Sequence, residues 1–148
     1  MILNRNKMNK KLFQNELLTK QLDNVPLDKK LSYKDICRIT KYINKSLFGE
    51  TCSLWNGYVT NSKNGLGKGL YVNFYFRNKK VALHRLLYEN FISPVGNDEY
   101  LKYSCVNKAK CCNINHMIKL KYIINENKQV VEEENKNIKK MNIELIFD

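Results

Sequence analysis

Four side chains of the types that bind zinc are spaced so that only a specific fold can bring them together. Cys105, Cys111 and His116 lie close together in the chain, whereas Cys52 lies far upstream. Thiolate sulfur and imidazole nitrogen are common zinc ligands, and a structural zinc site closes with four protein ligands. The pattern predicts a structural zinc ion that fastens the late loop to the segment around Cys52.

The other cysteines have simpler interpretations, since cysteine is often only a small buried hydrophobe. Cys112 follows Cys111 directly, so its side chain should point away and be either packed or free. Cys37 lies within a helical pattern and is predicted to be a core residue. The polar stretch at 108–110 argues against the same interpretation for Cys111.

Length and composition limit the class of protein. A chain of 148 residues is expected to form one domain with a modest core. The odd number of cysteines and the lack of an apolar leader argue against secretion and a disulfide framework. No apolar run approaches the roughly 18 residues that span a bilayer. We therefore expect an intracellular protein, in the nucleus or cytoplasm, that does not bind membranes.

The basic charge is concentrated in the middle of the chain. Residues 52–121 carry 11 basic and 3 acidic side chains, whereas 122–148 carry 4 basic and 6 acidic ones. A basic field attracts polyanions and releases counterions from each neutralised phosphate, so nucleic acid is the expected partner. The abundance of Lys, Asn and Ile would also follow from an AT-rich genome without selection for binding.

Hydrophobic spacing predicts two N-terminal helices. Leucine and phenylalanine recur at helical offsets within the first 25 residues, and a second pattern runs over 32–48. Ser32 is placed to cap the second helix, with Asp35 three residues later as a variant of the capping box.

From residue 52 the period becomes alternating, which predicts strands at 54–60 and 70–77 separated by a turn at 61–69. A second turn follows at Asn78 and Lys79. Residues 81–91 are predicted to be helical, 117–131 partly helical, and the tail motif at 143–147 an edge strand or a partner-binding segment.

The predicted fold class is α+β, with N-terminal helices, an antiparallel hairpin or meander, a helix and a zinc-clipped loop. We divide the chain into a helical extension (1–50), a zinc-binding domain (51–128) and an acidic tail (129–148).

The strand at 70–77 offers two different faces, because strand side chains alternate. Val72, Phe74 and Phe76 form an apolar face. The opposite face could lie in a DNA groove as a β-ribbon, or could simply be solvated. The candidate nucleic-acid contacts on and beside it are Tyr71, Asn73, Tyr75, Arg77, Lys79, Lys80, His84 and Arg85.

Three motifs taken in order resemble the HNH endonucleases of phages and large DNA viruses, and the zinc-binding loop of the His-Cys box homing endonucleases. They are CSLWNG at 52–57, ALHRLLY at 82–88, and the late cluster with CVN at 105–107 and CCNINH at 111–116. The resemblance covers about residues 52–127 and implies a ββα-metal (His-Me finger) core. Its zinc ligands map onto Cys52, Cys105, Cys111 and His116.

In the family that the chain resembles, a histidine base activates water, and a divalent cation such as Mg²⁺ is held partly by an asparagine. The base position is Tyr103 here, and the asparagine maps onto Asn125, with Asn127 as the alternative. Tyrosine has an ordinary pKa of about 10 and is a poor base at neutral pH. His84 and the carboxylates at 98 and 99 are the other groups that could act as bases.

The resemblance therefore predicts a zinc-stabilised, nucleic-acid-binding protein with reduced or lost phosphodiesterase activity. A working metal-dependent endonuclease is the first alternative. A structural or assembly subunit that uses the zinc fold as a scaffold is the second. DNA is the expected partner, a homodimer or a protein complex is compatible with the sequence, and the resemblance to viral proteins places the chain in an infected host cell.

Overall fold

The fold is seen in a computed structural model. It describes residues 2–61, 70–124 and 130–132, with side chains for 9–60 and 71–123. Asn125, Asn127, the tail motif and most of the turn predicted at 61–69 lie outside the described residues.

The described elements are three α-helices, one short 3₁₀ helix and seven strands. In chain order they are α1 (Ile2–Lys20), α2 (Tyr33–Thr40), β1 (Thr60–Asn61), β2 (Leu70–Tyr71), β3 (Asn73–Phe76), β4 (Lys79–Ala82), α3 (Leu83–Phe91), β5 (Glu99–Tyr103), the 3₁₀ helix η1 (Ile114–His116), β6 (Met117–Ile124) and β7 (Val130–Glu132). The strands form three antiparallel sheets, β1-β2, β3-β4 and β5-β6-β7. The predicted α+β class is confirmed. Within the described parts of the chain, no helix is long and apolar enough to cross a membrane.

The start of α2 agrees with the predicted capping box. The Ser32 hydroxyl accepts a hydrogen bond from the backbone N–H of Asp35, whose carboxylate accepts from the backbone N–H of Ser32. Burial of the Asp35 carboxyl opposes ionisation, but the hydrogen bonds from Ser32 and Arg38 outweigh it and lower its pKa. The cap therefore fixes where the helix begins.

The predicted end of α2 at residue 48 was wrong, because the helix stops at Thr40. The ammonium group of Lys10 donates to the carbonyl oxygens of Thr40 and Lys41, at 3.1 and 2.8 Å, so α1 satisfies carbonyls at the end of the helix. Ile43 and Leu47 are buried without being helical. Their apolar spacing reflected burial and not helical structure.

The strand predicted at 54–60 was also wrong over most of its length, since only Thr60 and Asn61 pair with β2. Leu54 instead forms an isolated antiparallel bridge with Cys111. Backbone groups of this segment therefore pair with the late loop and do not extend the β1-β2 hairpin.

The β3-β4 hairpin turns through Arg77 and Asn78, both in the left-handed region with φ of 50° and 67°. Two successive positive φ angles match the twist of the flanking strands. The turn therefore lies one residue earlier than predicted. The alternation of the preceding residues is confirmed, because Val72, Phe74 and Phe76 are all buried.

The prediction that 117–131 is partly helical was wrong over the described residues, because Met117–Ile124 is a strand that pairs with β5 on one side and β7 on the other. Met117 contributes to a small apolar cluster with Tyr88 and Val95. A segment rich in Tyr and Ile favours a strand.

One hydrophobic cluster joins the N-terminal helices to the rest of the chain. Its buried members are Leu17, Leu31, Ile36, Ile39, Ile43, Leu47, Trp55, Val72, Phe74, Phe76, Leu83, Leu86, Leu87, Phe91, Cys112 and Ile114. Cys112 is therefore packed in the core, one of the two positions foreseen for it, whereas Cys37 is only half-buried. Because Cys112 and Ile114 lie between the predicted ligands Cys111 and His116, the core also fixes where that loop lies.

Asn90 is a fully buried polar junction between α3 and the segment after α1. Its side-chain oxygen accepts from Leu31 N at 2.9 Å and from the Gln21 amide at 2.8 Å. Its amide nitrogen donates to the carbonyls of Lys29 and Leu86. A buried amide is stable only when its groups are paired, and here each has two partners.

Candidate metal centre

The four predicted ligands converge, because the donor atoms of Cys52, Cys105, Cys111 and His116 all lie within 4.8 Å of one another. The sulfurs of Cys52 and Cys111 each lie 3.5 Å from Nδ1 of His116. With metal–sulfur and metal–nitrogen bonds of about 2.3 and 2.05 Å, a tetrahedral zinc ion would separate its sulfur and nitrogen ligands by about 3.6 Å. The spacing therefore fits a tetrahedral ion of that size.

His116 is oriented with one particular nitrogen toward the sulfurs. Its Nε2 lies 2.8 Å from the carbonyl oxygen of Glu50. A carbonyl oxygen can only accept, so Nε2 carries the hydrogen and donates it. Nδ1 is then left with a free lone pair for a cation, and the carbonyl acts as the outer partner that sets the tautomer of a metal-bound histidine.

Local structure places the three late ligands. Cys105 follows the end of β5, and the backbone N–H of Ser104 donates to the carbonyl of His116 at 2.8 Å. Cys111 closes a turn in which its N–H donates to the carbonyl of Asn107 at 3.0 Å. Ala109 inside this turn has φ of 73°, a conformation that favours glycine. The turn brings Cys111 back toward the end of β5.

Cys52 is positioned by backbone pairing between distant segments. The N–H of Cys112 donates to the carbonyl of Ser53 at 2.6 Å, and the N–H of Trp55 donates to the carbonyl of Lys110 at 2.7 Å. These bonds flank the bridge between Leu54 and Cys111. Backbone hydrogen bonds thus hold the upstream ligand against the late loop.

Two asparagines strengthen this arrangement, and sequence reasoning gave them no role. The buried amide of Asn113 donates to the carbonyls of Gly49 and Thr51 at 2.8 and 2.6 Å, while its oxygen accepts from Asn115 N at 2.8 Å. The side chain of Asn115 donates to the carbonyl of Phe48. Both asparagines were visible in the late motif, but nothing in the sequence indicated that their partners lie just before Cys52.

The two thiols nearest His116 differ in acidity. The side-chain hydrogen bond with Asn107 is the main reason that the pKa of Cys52 falls to about 7. Burial raises the pKa of Cys111 to about 12, because desolvation disfavours its thiolate. A cation that binds here must therefore displace the proton of Cys111 at neutral pH. The N–H of Asn113, 3.4 Å from the Cys111 sulfur, would stabilise the resulting thiolate.

Tyr103, at the predicted base position, lies near the end of β5 with its ring centroid 5.5 Å from that of His84. Burial raises the pKa of Tyr103 above its ordinary value, and the neighbouring cysteines add to this. Burial, with a contribution from Arg85, lowers the pKa of His84 to about 4. Nδ1 of His84 is buried and has no hydrogen-bond partner within the described structure. Asn125, the other predicted catalytic residue, lies outside the described residues.

Some of the candidate nucleic-acid residues are exposed, whereas others contact the protein itself. Tyr75 pairs directly across the hairpin with Lys80, so these two share a face with Asn73. Lys79 pairs with Phe76 and lies on the opposite side. Tyr71, in β2, is half-buried.

The two remaining arginines contact the protein itself. The guanidinium of Arg85 bonds Glu89 at 3.1 Å and donates to the carbonyls of Val95 and Gly96 at 2.9 and 3.2 Å. The exposed Arg77 lies in the hairpin turn, 5.3 Å from the ring centre of Phe76. Arg85 is thus structurally engaged, whereas Lys80 and Tyr75 face solvent.

Comparison with known proteins finds a similar viral protein. The chain is 57% identical over 123 residues to a protein of Acanthamoeba polyphaga mimivirus described as "Uncharacterized protein R328". The match covers 82% of this chain but 35% of the relative, so the chain spans about a third of the length of the curated protein it matches. No family model matches the chain, and no solved structure matches it.

Proposed function

We propose that this chain is a zinc-stabilised DNA-binding protein of the HNH-like type, with phosphodiesterase activity reduced or lost. The observation that carries the proposal is the convergence of Cys52, Cys105, Cys111 and His116 at the spacing of a tetrahedral metal site. Three sulfurs and one imidazole favour zinc over magnesium or calcium, which prefer oxygen ligands.

The metal would serve structure and not chemistry. Four protein ligands fill a tetrahedral shell and leave no position for water or substrate. A bound zinc ion would contribute folding free energy on the order of 10 kcal/mol. It would do so by fixing the late loop, the end of β5 and the Cys52 segment relative to one another.

The β3-β4 ribbon is the proposed DNA-contacting element. Tyr75, Lys80 and Asn73 project from one face, whereas Phe74 on the other face packs into the core. A two-stranded ribbon fits the major groove, where a lysine contacts phosphate and an asparagine can bond adenine. The net charge of +12 supports a polyanionic partner.

Two features support weak or absent cleavage. The pKa of Tyr103 is raised above its ordinary value, so even less of the tyrosinate form that could accept a proton is present at neutral pH. His84 is neutral at pH 7, as a base must be, but its free Nδ1 is buried where water does not reach it. Losing a positioned base typically costs about 10² to 10⁴ in rate.

Binding and cleavage of DNA test the proposal together. The zinc-loaded chain should bind a duplex with an affinity that falls steeply between about 50 and 200 mM salt. Lys80→Ala should weaken binding and lower the salt slope by about one. Lys11→Ala, at an exposed position of α1, is the control with the same charge change. No duplex binding at low salt would overturn the proposal and favour a structural subunit.

For cleavage, supercoiled plasmid is incubated with Mg²⁺ or Mn²⁺. Wild-type chain should leave the plasmid intact, whereas Tyr103→His could restore a base and permit nicking. Robust nicking by the wild-type chain, unchanged or reduced in Tyr103→His, would establish a working endonuclease instead.

A further inference from the structure

A second surface lies between the end of α2, the segment after Cys52 and the β3 strand. It is an open groove of about 310 Å³, which we call the aromatic groove. Its lining includes Arg38, Lys41, Tyr42, Trp55, Tyr58 and Tyr75.

The groove presents tyrosine rings to solvent. Tyr42, Tyr58 and Tyr75 are 42%, 81% and 56% exposed, so these rings are not part of the core. Trp55 is only 8% exposed and forms the inner wall, with its ring centroid 4.9 Å from that of Tyr42. Three accessible tyrosine rings therefore lie beside one buried tryptophan ring.

Gly57 lets the rings of Trp55 and Tyr42 approach the backbone closely. A Cβ atom on Gly57 would lie 2.7 Å from Nε1 of Trp55 and 3.1 Å from Cδ1 of Tyr42, so only glycine allows this approach. The N–H of Asn56 donates to the carbonyl of Tyr42 at 2.7 Å. Trp55 Nε1 is buried without a hydrogen-bond partner in the described structure. The backbone is therefore shaped to hold the two rings, although one indole donor stays unpaired.

Cations border these rings. Arg38 forms an ion pair with Asp35 at 2.8 Å, and its guanidinium donates to the carbonyl of Tyr75 at 2.7 Å. It also lies 4.2 Å from the ring centre of Phe74. Arg38 therefore holds β3 in place more than it attracts ligands. Lys41 is exposed at the rim. No carboxylate is among the described residues that line the groove.

Exposed aromatic faces beside cations fit an anionic chain that carries flat rings. We propose that the aromatic groove binds unpaired DNA bases next to the duplex held by the ribbon. Bases inside a duplex are stacked on one another and offer only their edges, whereas unpaired bases can stack on tyrosine with little sequence preference. The inference rests on the proposed function for the choice of DNA over RNA. Tyr75 lies on the ribbon and lines the groove, so the two surfaces are continuous.

The test uses the zinc-loaded full chain and fluorescence anisotropy with three probes, which are a short oligothymidylate, a duplex and the matching single-stranded RNA. Tyr58→Ala should weaken oligothymidylate binding about 10-fold or more and change duplex binding less than about twofold. Tyr58→Phe should keep near-normal binding because it keeps the ring. Tyr33→Ala is the control, because Tyr33 is a tyrosine of α2 that is 58% exposed outside the groove.

The outcomes separate the two proposals. Duplex binding without oligothymidylate binding, or oligothymidylate binding that Tyr58→Ala and Tyr42→Leu leave unchanged, overturns the groove and leaves the proposed function standing. Oligothymidylate binding that needs Tyr58, without duplex binding, supports the groove and overturns the ribbon. Tighter binding of RNA than of DNA overturns the choice of DNA.

Discussion

Asn113→Ala should weaken the metal centre although Asn113 is not a ligand. The substitution removes two donated hydrogen bonds, to the carbonyls of Gly49 and Thr51, and one accepted from Asn115 N. Asn113 is completely buried, so water does not replace these bonds. At about 1 kcal/mol for each bond, the expected cost is about 3 kcal/mol of unfolding free energy. Because the lost bonds hold the segment before Cys52, zinc affinity should also fall by about 10- to 100-fold.

Zinc affinity is measured by competition with a chromogenic chelator, and stability by urea unfolding at fixed free zinc. Asn115→Ala is the matched control, since its exposed amide donates to Phe48 and Gly49. That change should cost less than about 1 kcal/mol. The reasoning is refuted if Asn113→Ala binds zinc as tightly as Asn115→Ala does and unfolds at the same urea concentration.

Three further predictions concern the thiols, the buried Asn90 and the buried imidazole of His84. Cys111→Ser should abolish the bound zinc measured by mass spectrometry, whereas Cys112→Ala should keep it; equal zinc contents would refute the ligand assignment. Asn90→Ala should lower the unfolding free energy by about 4 kcal/mol without changing zinc affinity, measured by urea unfolding and chelator competition. The folded pKa of His84, about 4, lies below its ordinary value of 6.5, so the unfolded chain takes up a proton between these pH values that the folded chain does not. Stability should fall by about 2 kcal/mol from pH 7 to pH 5 through this group, and His84→Phe should remove that part of the loss.

Patterns that depend on neighbouring residues were predictable from the sequence. The capping box of Ser32 and Asp35 was one example, and the alternation of Val72, Phe74 and Phe76 was another. Chemistry also indicated the four candidate metal ligands, because few other roles explain cysteine and histidine at that spacing in a polar loop. The zinc-binding chemistry of these four residues predicted that Cys52 lies beside the late cluster, whereas local helix or strand propensity did not.

Features set by contacts between distant residues could not be predicted. The helix at α2 ends where Lys10, thirty residues earlier, reaches its carbonyls. The segment around Leu54 pairs with Cys111 and not with its neighbour in sequence. The supporting role of Asn113 depends on carbonyls more than sixty residues away. Apolar spacing reported burial at Ile43 correctly but gave no information about whether the backbone there was helical.

The proposal that this chain is a zinc-stabilised DNA-binding protein is tested most directly by duplex binding before and after zinc removal. Anisotropy of a labelled duplex is recorded with the zinc-loaded chain, after chelation, and after zinc is restored. We predict salt-dependent binding that is lost on chelation and recovered with about one zinc per chain. Undiminished binding by the zinc-free chain, or no binding by a chain with one zinc bound, would contradict the account.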